Sequence, residues 1–220
     1  MSRFPLRSHA LALCLATLVP AASRATVTIN FDPLNALGAP VNGVPLDTYM
    51  AQFGVTITNN TAGTSVNAED DRWSYGGGVV GAPSVHNYLL QNGGNSGESY
   101  RLTFSQVQSS VSFTRVAELT SSTWPQWSVQ AFDTSNVAVG SAVGESLQGG
   151  TRAAQTFNLP GPGIKSIVVS GNGSGVAAYA TAPIDDLFLP NAVPEPSAAA
   201  GALLVGAAFA ARRRRAGSRA

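Results

Sequence analysis

Short stretches of alternating apolar and polar residues run through the middle of this chain. SYRLTFS places Leu102 and Phe104 on one side of an extended strand, and SVSFTRV does the same with Val111 and Phe113. Because successive side chains of a strand point to opposite faces, this period of two predicts strands with one buried face. No stretch of the middle region keeps the period of an amphipathic helix.

The alternation, together with glycine, proline and polar turn residues at its breaks, predicts many short strands. The eleven predicted strands cover residues 26–32, 54–58, 88–91, 99–105, 110–116, 127–133, 137–140, 153–159, 164–170, 176–180 and 184–189. In WSVQAF the phase of the strand places Trp127 in the core. Short strands in a chain with 23 glycines and 13 prolines predict an all-β fold, a two-sheet antiparallel sandwich of the jelly-roll type.

The first 25 residues have the organisation of a secretory signal peptide. Arg3 and Arg7 precede an apolar stretch, residues 10–19, that is too short to span a bilayer. The small residues of Ser-Arg-Ala predict cleavage after Ala25. Cys14 is the one cysteine of the chain and leaves with this segment, so the mature protein is expected to contain neither a disulfide nor a thiol nucleophile.

The C-terminal region, residues 191–220, divides into three parts. These are the motif Pro194, Glu195 and Pro196, an uncharged apolar stretch at 197–211, and a tail at 212–220 that opens with Arg212, Arg213, Arg214 and Arg215. As a helix the apolar stretch rises roughly 23 Å, less than the about 30 Å of a bilayer core, but snorkelling arginines extend its reach. The arginines act as a stop-transfer cluster and are expected to stay in the cytoplasm. The apolar stretch has no polar face, so it is not expected to be a final helix packed on the folded domain. It is then either a permanent membrane anchor or a sorting signal that is later processed.

A Pro-Glu-Pro motif, a small-residue-rich transmembrane helix and a terminal arginine cluster resemble the PEP-CTERM sorting signal. The resemblance covers residues 193–220. It implies that a membrane exosortase of an exopolysaccharide-producing Gram-negative bacterium recognises the tail and cuts near the motif. The domain at 26–190 is then exported across the inner membrane to the cell envelope or the outside.

The exported domain is itself similar to ectodomains that precede such signals and to carbohydrate-binding-module-like sandwiches. The matching pieces are Phe31-Asp32, Leu102-Thr103-Phe104, Val111-Ser112-Phe113, and residues 129–133, 163–170 and 184–187. The resemblance implies a β-sandwich and names no ligand.

The net charge of the middle region limits which kinds of partner the protein is expected to bind. Between residues 26 and 193 eleven acidic residues outnumber five basic ones, a net charge of −6, which does not suit nucleic acid. Asp32 ends the first predicted strand, and Asp185 and Asp186 lie in the last. Terminal strands of a jelly roll are neighbours, so these carboxylates form a candidate calcium site, with alternation allowing one of the adjacent pair to ligate. Alternatively, Asp185 and Asp186 both face solvent at the start of a strand. Residues 69–71 are a weaker second candidate for a calcium site.

Candidate binding and catalytic groups are few. Trp73 and Trp124 lie in predicted loops and are candidate stacking platforms for sugar rings. With His86 as the one histidine after signal removal, and without a Gly-x-Ser-x-Gly or HExxH motif, the sequence predicts no catalytic residue. The acids at positions 69, 70, 71, 98, 118 and 145 are expected mainly as solvated loop charges, although a pair of them would suffice for a glycosidase.

Two hypotheses about function follow. The first is a secreted, non-enzymatic protein of the cell envelope or extracellular matrix, structural or adhesive, that associates with exopolysaccharide. The alternative is a secreted glycan-active hydrolase or lyase on the same fold.

Overall fold

The computed structural model describes residues 25–31, 43–70, 87–92, 97–118, 126–172 and 181–192. Within these ranges the chain is built from antiparallel strands and one short helix. The elements are β1 Ala25–Ile29, β2 Val44–Pro45, α1 Asp47–Ala51, β3 Val55–Asn59, β4 Ser65–Asp70, β5 Asn87–Asn92, β6 Ser99–Arg115, β7 Gln126–Phe132, β8 Ala138–Glu145, β9 Gln155–Asn172 and β10 Ile184–Ala192. Across these ranges no helix is both long and apolar enough to pass through a membrane.

Two long strands organise the sheet topology. The strand order is β2-β4-β5-β10-β6-β9-β7-β8, with β1 added to β10 and β3 added to β6. The first part of β6, residues 99–104, pairs with β3 and the end of β9. Its last part, residues 110–115, pairs with β10 and the beginning of β9. The register of β6 on β9 shifts between Thr103 and Ser110, where both strands pass from one layer to the other.

We call the two layers the front and back sheets. The front sheet comprises β3, the first part of β6, the end of β9, β7 and β8. The back sheet comprises β1, β2, β4, β5, β10, the last part of β6 and the beginning of β9. The prediction of an antiparallel β-sandwich is therefore confirmed for the described residues, whereas the jelly-roll topology remains a prediction.

An aromatic cluster joins the two sheets. The Trp127 ring of the front sheet lies 6.1 Å from Phe113 and 5.0 Å from Phe157 between centroids, and both phenylalanines belong to the back sheet. The Phe113 and Phe157 rings stack with centroids 5.7 Å apart. Trp127 is 2% exposed, so its predicted place in the core is confirmed. The alternation of β6 is confirmed as well, because its predicted inward-facing residues are all buried.

Two pairs of predicted strands are single strands in the structure. The predicted breaks were the polar residues after Phe104 in β6 and the Pro-Gly-Pro-Gly stretch in β9. At both places the strand bends and continues. In β9 the bend uses Gly161 at φ 144° and Gly163 at φ 90°, backbone conformations that side-chain-bearing residues rarely adopt.

Three described elements were not predicted, and β8 is several residues longer than predicted. The short helix α1 buries Met50, but five residues are too few to show a helical period. Strand β2 has only two residues, and β4 consists largely of small or polar residues, so both give a weak strand signal. Strand β8 extends to Glu145, although its glycines suggested an earlier end. The predicted strand at 176–180 lies outside the described residues.

The aromatic cluster gives a stability prediction. Phe113→Ala removes a fully buried ring that contacts both Trp127 and Phe157, and should lower the free energy of unfolding by about 3–5 kcal/mol in urea titrations. The control is Val137→Ala, at a side chain 59% exposed, which should change it by less than about 0.5 kcal/mol. Equal effects of the two substitutions would contradict this core.

Candidate functional site

Four hydroxyl groups and one amide, Gln130, whose Nε2 donates to backbone carbonyls, lie along the outward side of the front sheet. Its central rows run across β3, β6, β9 and β7 and consist of Thr58, Arg101, Val168 and Gln130 in one row and Thr56, Thr103, Ser166 and Phe132 in the next. Apart from Ser166, which is 3% exposed and accepts a hydrogen bond from Arg101, these side chains are at least partly exposed and alternate with buried ones that face the back sheet. We call this surface the polar face.

Arg101 is the cation of the polar face. Its Nη1 donates a hydrogen bond of 2.6 Å to Ser166 Oγ, and its guanidinium carbon lies 4.9 Å from the centroid of the Phe132 ring. Arg101 and Phe132 are both half-buried. A cation over an aromatic ring is attracted by about 0.5–1 kcal/mol at exposed sites. The ring and the hydroxyl therefore orient the guanidinium without neutralising its charge.

A buried charge network lies where β6 and β8 end. Arg115 donates from Nε and Nη2 to the two carboxylate oxygens of Glu145, both at 2.8 Å. Trp127 Nε1 donates to Glu145 Oε2 at 2.9 Å, and Arg115 Nη1 donates to the Val116 carbonyl at 2.8 Å. The Arg115 side chain is 1% exposed and that of Glu145 is 15% exposed. This bidentate pair is of the strong, geometrically specific kind.

A second ion pair joins the same network. Arg152 Nη1 lies 3.3 Å from Glu118 Oε2 and 3.7 Å from Glu145 Oε2. The backbones of Glu118 and Arg152 also exchange hydrogen bonds of 2.8 and 2.7 Å. Burial raises the pKa of Glu118 to about 7, and the nearby Arg115 and Arg152 offset only part of that effect. Glu118 is thus a buried carboxyl that titrates near neutral pH.

A shallow depression of about 240 Å³ borders this network and is lined in part by Trp127, Ser128, Val143 and Glu145. Arg115 and Trp127 already occupy both oxygens of Glu145. Glu118 does not line the depression. The arrangement therefore suits a structural contact between strand ends better than a pair of free carboxylates facing a substrate.

The expectation that the acids are solvated loop charges is wrong for several of them. Glu69, Glu98 and Glu118 are 2%, 1% and 2% exposed. Glu69 lies in β4, where the sequence analysis placed a loop, and Glu118 is buried because its partner arginine arrives from a distant part of the chain. One signal for the network was available, since this chain of low charge carries two arginines and two glutamates close to strand ends.

The start of β10 carries two of the three predicted calcium ligands. Asp185 is fully buried, so the alternative that both aspartates face solvent is wrong. Asp186 adopts φ 46°, and its backbone N–H donates to Asp185 Oδ1 at 2.8 Å. The register of β10 on β6 shifts between Asp185 and Phe188. Simple alternation therefore does not hold at this point, and it does not decide which aspartate would ligate.

Asn87 connects this corner to β1. Its Nδ2 donates to the Phe31 carbonyl at 2.9 Å, directly before Asp32 in the chain. Its Oδ1 is buried and accepts no hydrogen bond from the described residues, and Leu89 on the same strand pairs with Ile184. A buried oxygen beside a carboxylate-bearing strand fits the ligand preference of calcium. Within the described ranges, however, no three acidic, histidine or cysteine residues gather as a metal site, so calcium remains a prediction.

Several predicted site residues lie outside the described residues. They are Asp32, Trp73, His86, Trp124, the sorting motif Pro194, Glu195 and Pro196, and the cluster Arg212, Arg213, Arg214 and Arg215. Their predicted roles therefore remain predictions.

Comparison with known proteins gives only distant structural likenesses. No protein-family model and no curated protein sequence matches the chain. Among solved structures, twelve chains match. One is the xylan-binding domain CBM22-1 of Xyn10C from Paenibacillus barcinonensis, at 14% identity and a TM-score of 0.36, covering 62% of this chain and 85% of that one.

Two further matches are of the same grade. A family 11 carbohydrate-binding module from Clostridium thermocellum, in complex with a β-1,3-1,4-mixed-linked tetrasaccharide, shares 12% identity at a TM-score of 0.35 and covers 70% of this chain and 99% of that one. The enzymatically active domain of tailspike protein 4 from bacteriophage CBA120 shares 13% identity at a TM-score of 0.35. The match covers 70% of this chain but only 22% of the tailspike chain. Likenesses at this level assign neither a family nor a function.

The raised pKa of Glu118 predicts that the stability of the fold depends on pH. Its pKa of about 7 in the folded protein lies above the ordinary value of 4.5, so the protonated carboxyl stabilises the fold fully below about pH 4. That contribution is lost as the pH rises to about 7. In urea titrations at increasing pH, the free energy of unfolding of the wild-type protein should fall relative to that of Glu118→Gln between about pH 4 and about pH 7. At higher pH the difference between the two proteins should stay constant. Asp47→Asn, at an exposed helix residue, is the control; wild-type and E118Q curves that stay parallel would refute the assignment.

The calcium prediction is tested by thermal unfolding. Because a ligand that binds only the folded state stabilises it, calcium should raise the Tm of the wild-type protein above its value in chelator. At least one of the variants Asp185→Asn and Asp186→Asn should abolish this calcium-dependent rise, whatever its effect on the Tm in chelator. Magnesium, which demands a smaller octahedral site, should raise the Tm less. An unchanged Tm of the wild-type protein in calcium would remove the site.

Proposed function

We propose that this chain is an exported, non-enzymatic β-sandwich protein of the bacterial cell envelope that binds glycans on its polar face. The observation that carries the proposal is the fixed Arg101 side chain, held by Phe132 and Ser166 among rows of hydroxyl and amide groups. A sugar ring presents hydroxyl groups around its edge. Donors and acceptors held in place by a rigid sheet meet such groups with little loss of side-chain freedom.

The proposed location rests on the sequence. The signal peptide at residues 1–25 directs the domain across the inner membrane. The PEP-CTERM-like tail, residues 191–220, holds it there through the helix at 197–211 until an exosortase processes the chain near the motif. Exopolysaccharide is then the glycan that the exported domain meets first, and we propose it as the partner. Trp73 and Trp124 are additional candidate contacts on the sequence evidence alone.

A glycan-active hydrolase or lyase is the alternative function. Most glycoside hydrolases use two Asp or Glu carboxyl groups that flank the scissile bond of a bound sugar. Glu118 and Glu145 are the described pair that shares one partner, Arg152. Their engagement with Arg115, Arg152 and Trp127 instead supports a role in holding strand ends together, and so supports binding without catalysis.

The proposal is tested by affinity electrophoresis and a glycan array with the full-length protein in detergent. Phe132→Ala removes the ring under Arg101 and should weaken glycan binding by about tenfold, because the guanidinium loses its fixed orientation. Phe188→Ala is the matched control. Phe188 is also a half-buried phenylalanine on a strand, but it alternates with buried residues of the back sheet and faces away from the polar face.

The outcomes separate the hypotheses. Glycan binding that Phe132→Ala weakens and Phe188→Ala leaves intact supports the polar face. Folded wild-type protein that binds none of the glycans would sink the proposal. Release of reducing ends or unsaturated sugars from polysaccharide, lost on Glu145→Gln in a variant that keeps its wild-type circular dichroism spectrum, would establish the enzymatic alternative.

A further inference from the structure

The basic residues of the described ranges fall into two groups. These ranges contain Arg101, Arg115, Arg152 and Lys165. Arg115 and Arg152 are buried and engaged with Glu145 and Glu118 inside the sandwich. Arg101 and Lys165 have no ion-pair partner in the described part of the chain, and the Lys165 ammonium donates to the Ser105 carbonyl.

The polar face carries the positive charge of Arg101 without a compensating acid. No Asp or Glu occurs in residues 55–59, 99–103, 126–132 or 166–170, the strand segments that form it. Asp133 follows the last of the β7 residues, but its Oδ1 accepts from the backbone N–H groups of Ser135 and Val137 at 2.8 and 2.9 Å. That carboxylate closes the turn between β7 and β8. In a region with a net charge of −6, this face is therefore a local exception.

The guanidinium is prepared for a planar anion. Of its five N–H donors, the contacts among described residues use one, at Ser166 Oγ. The Phe132 ring restrains its orientation. A guanidinium held in this way matches the two oxygens of a carboxylate, and ion-paired hydrogen bonds of this kind are stronger than neutral ones.

We infer that the polar face selects glycans that contain uronic acids, with Arg101 binding the sugar carboxylate and the neighbouring hydroxyl and amide side chains binding the sugar hydroxyls. This inference rests on the proposed glycan-binding function and adds the chemical class of the ligand. One cation on an otherwise uncharged face suits a sugar with a single carboxylate per residue. It does not suit nucleic acid, whose closely spaced phosphates require a row of cations.

The experiment compares polyuronates with the same polymers after their carboxylates have been reduced to alcohols. The full-length protein in detergent is tested against alginate, polygalacturonate and hyaluronate, each in native and carboxyl-reduced form. We expect at least one native polymer to bind about tenfold more tightly than its reduced form. Raising the salt concentration should shrink the difference, because exposed charges are screened.

Three variants assign the selectivity to one side chain. Arg101→Gln should remove the preference for native polymer, so that the native and reduced forms bind with affinities within about twofold of each other. Arg101→Lys keeps the charge but not the planar fork, and should restore only part of the preference. Lys165→Gln makes the same change in net charge at the other cation without an ion-pair partner, and should leave the preference intact. Unchanged unfolding midpoints show that each variant is folded.

The possible failures are distinguishable. Equal or tighter binding of the reduced polymers, or binding of neutral glycans alone, would overturn the inference while leaving glycan binding in place. Loss of preference in both Arg101→Gln and Lys165→Gln would trace it to net charge and overturn the role of Arg101. Failure of the wild-type protein to bind any native, reduced or neutral glycan would remove the proposed function and this inference together.

Discussion

The antiparallel pairing of β6 with β9 is the constraint on which the other described strands depend. The two strands are 17 and 18 residues long and pair in both layers of the sandwich, with a register shift between the two paired segments. In the front sheet β3 adds to β6 and β7 adds to β9, while in the back sheet β10 adds to β6. A break in this ladder would disconnect the two sheets, because each long strand is shared between them.

The charge network strengthens this arrangement at one end. Arg115 is the last residue of β6 and Glu145 the last of β8, so their bidentate ion pair ties strands that are not neighbours in either sheet. Buried ion pairs give little net stability over apolar packing, because desolvation opposes the attraction. Their geometric demands are strict, however. The network therefore favours one placement of β8 against β6 rather than simply adding to the stability of the core.

The sequence predicted the parts of this fold that depend on alternation. Leu102, Phe104, Val111 and Phe113 lie in the core as the period of two requires. It did not predict that β6 and β9 continue through their polar or glycine-rich middles, because local turn signals are the same whether a strand ends or bends. The candidate site was predicted less well. Trp73 and Trp124 are candidates because tryptophans in predicted loops can stack on sugar rings. Arg101 and Phe132, in contrast, meet across β9 through the sheet register and are 31 positions apart in sequence.

The contrast between Arg101 and Arg115 shows why residue type alone does not assign a role. Both lie on β6, but Arg115 shares the buried side of the back sheet with Ile184 and meets Glu145, 30 positions along the chain. Arg101 lies on the outward side of the front sheet, where its cross-strand neighbours are Thr58 and Val168. The topology thus neutralises one guanidinium and leaves the other charged, oriented by an aromatic ring and a serine. Since an oriented cation without a counter-charge has unused capacity to bind an anion, the fold itself, rather than the overall acidic composition, determines where this protein is suited to a negatively charged sugar.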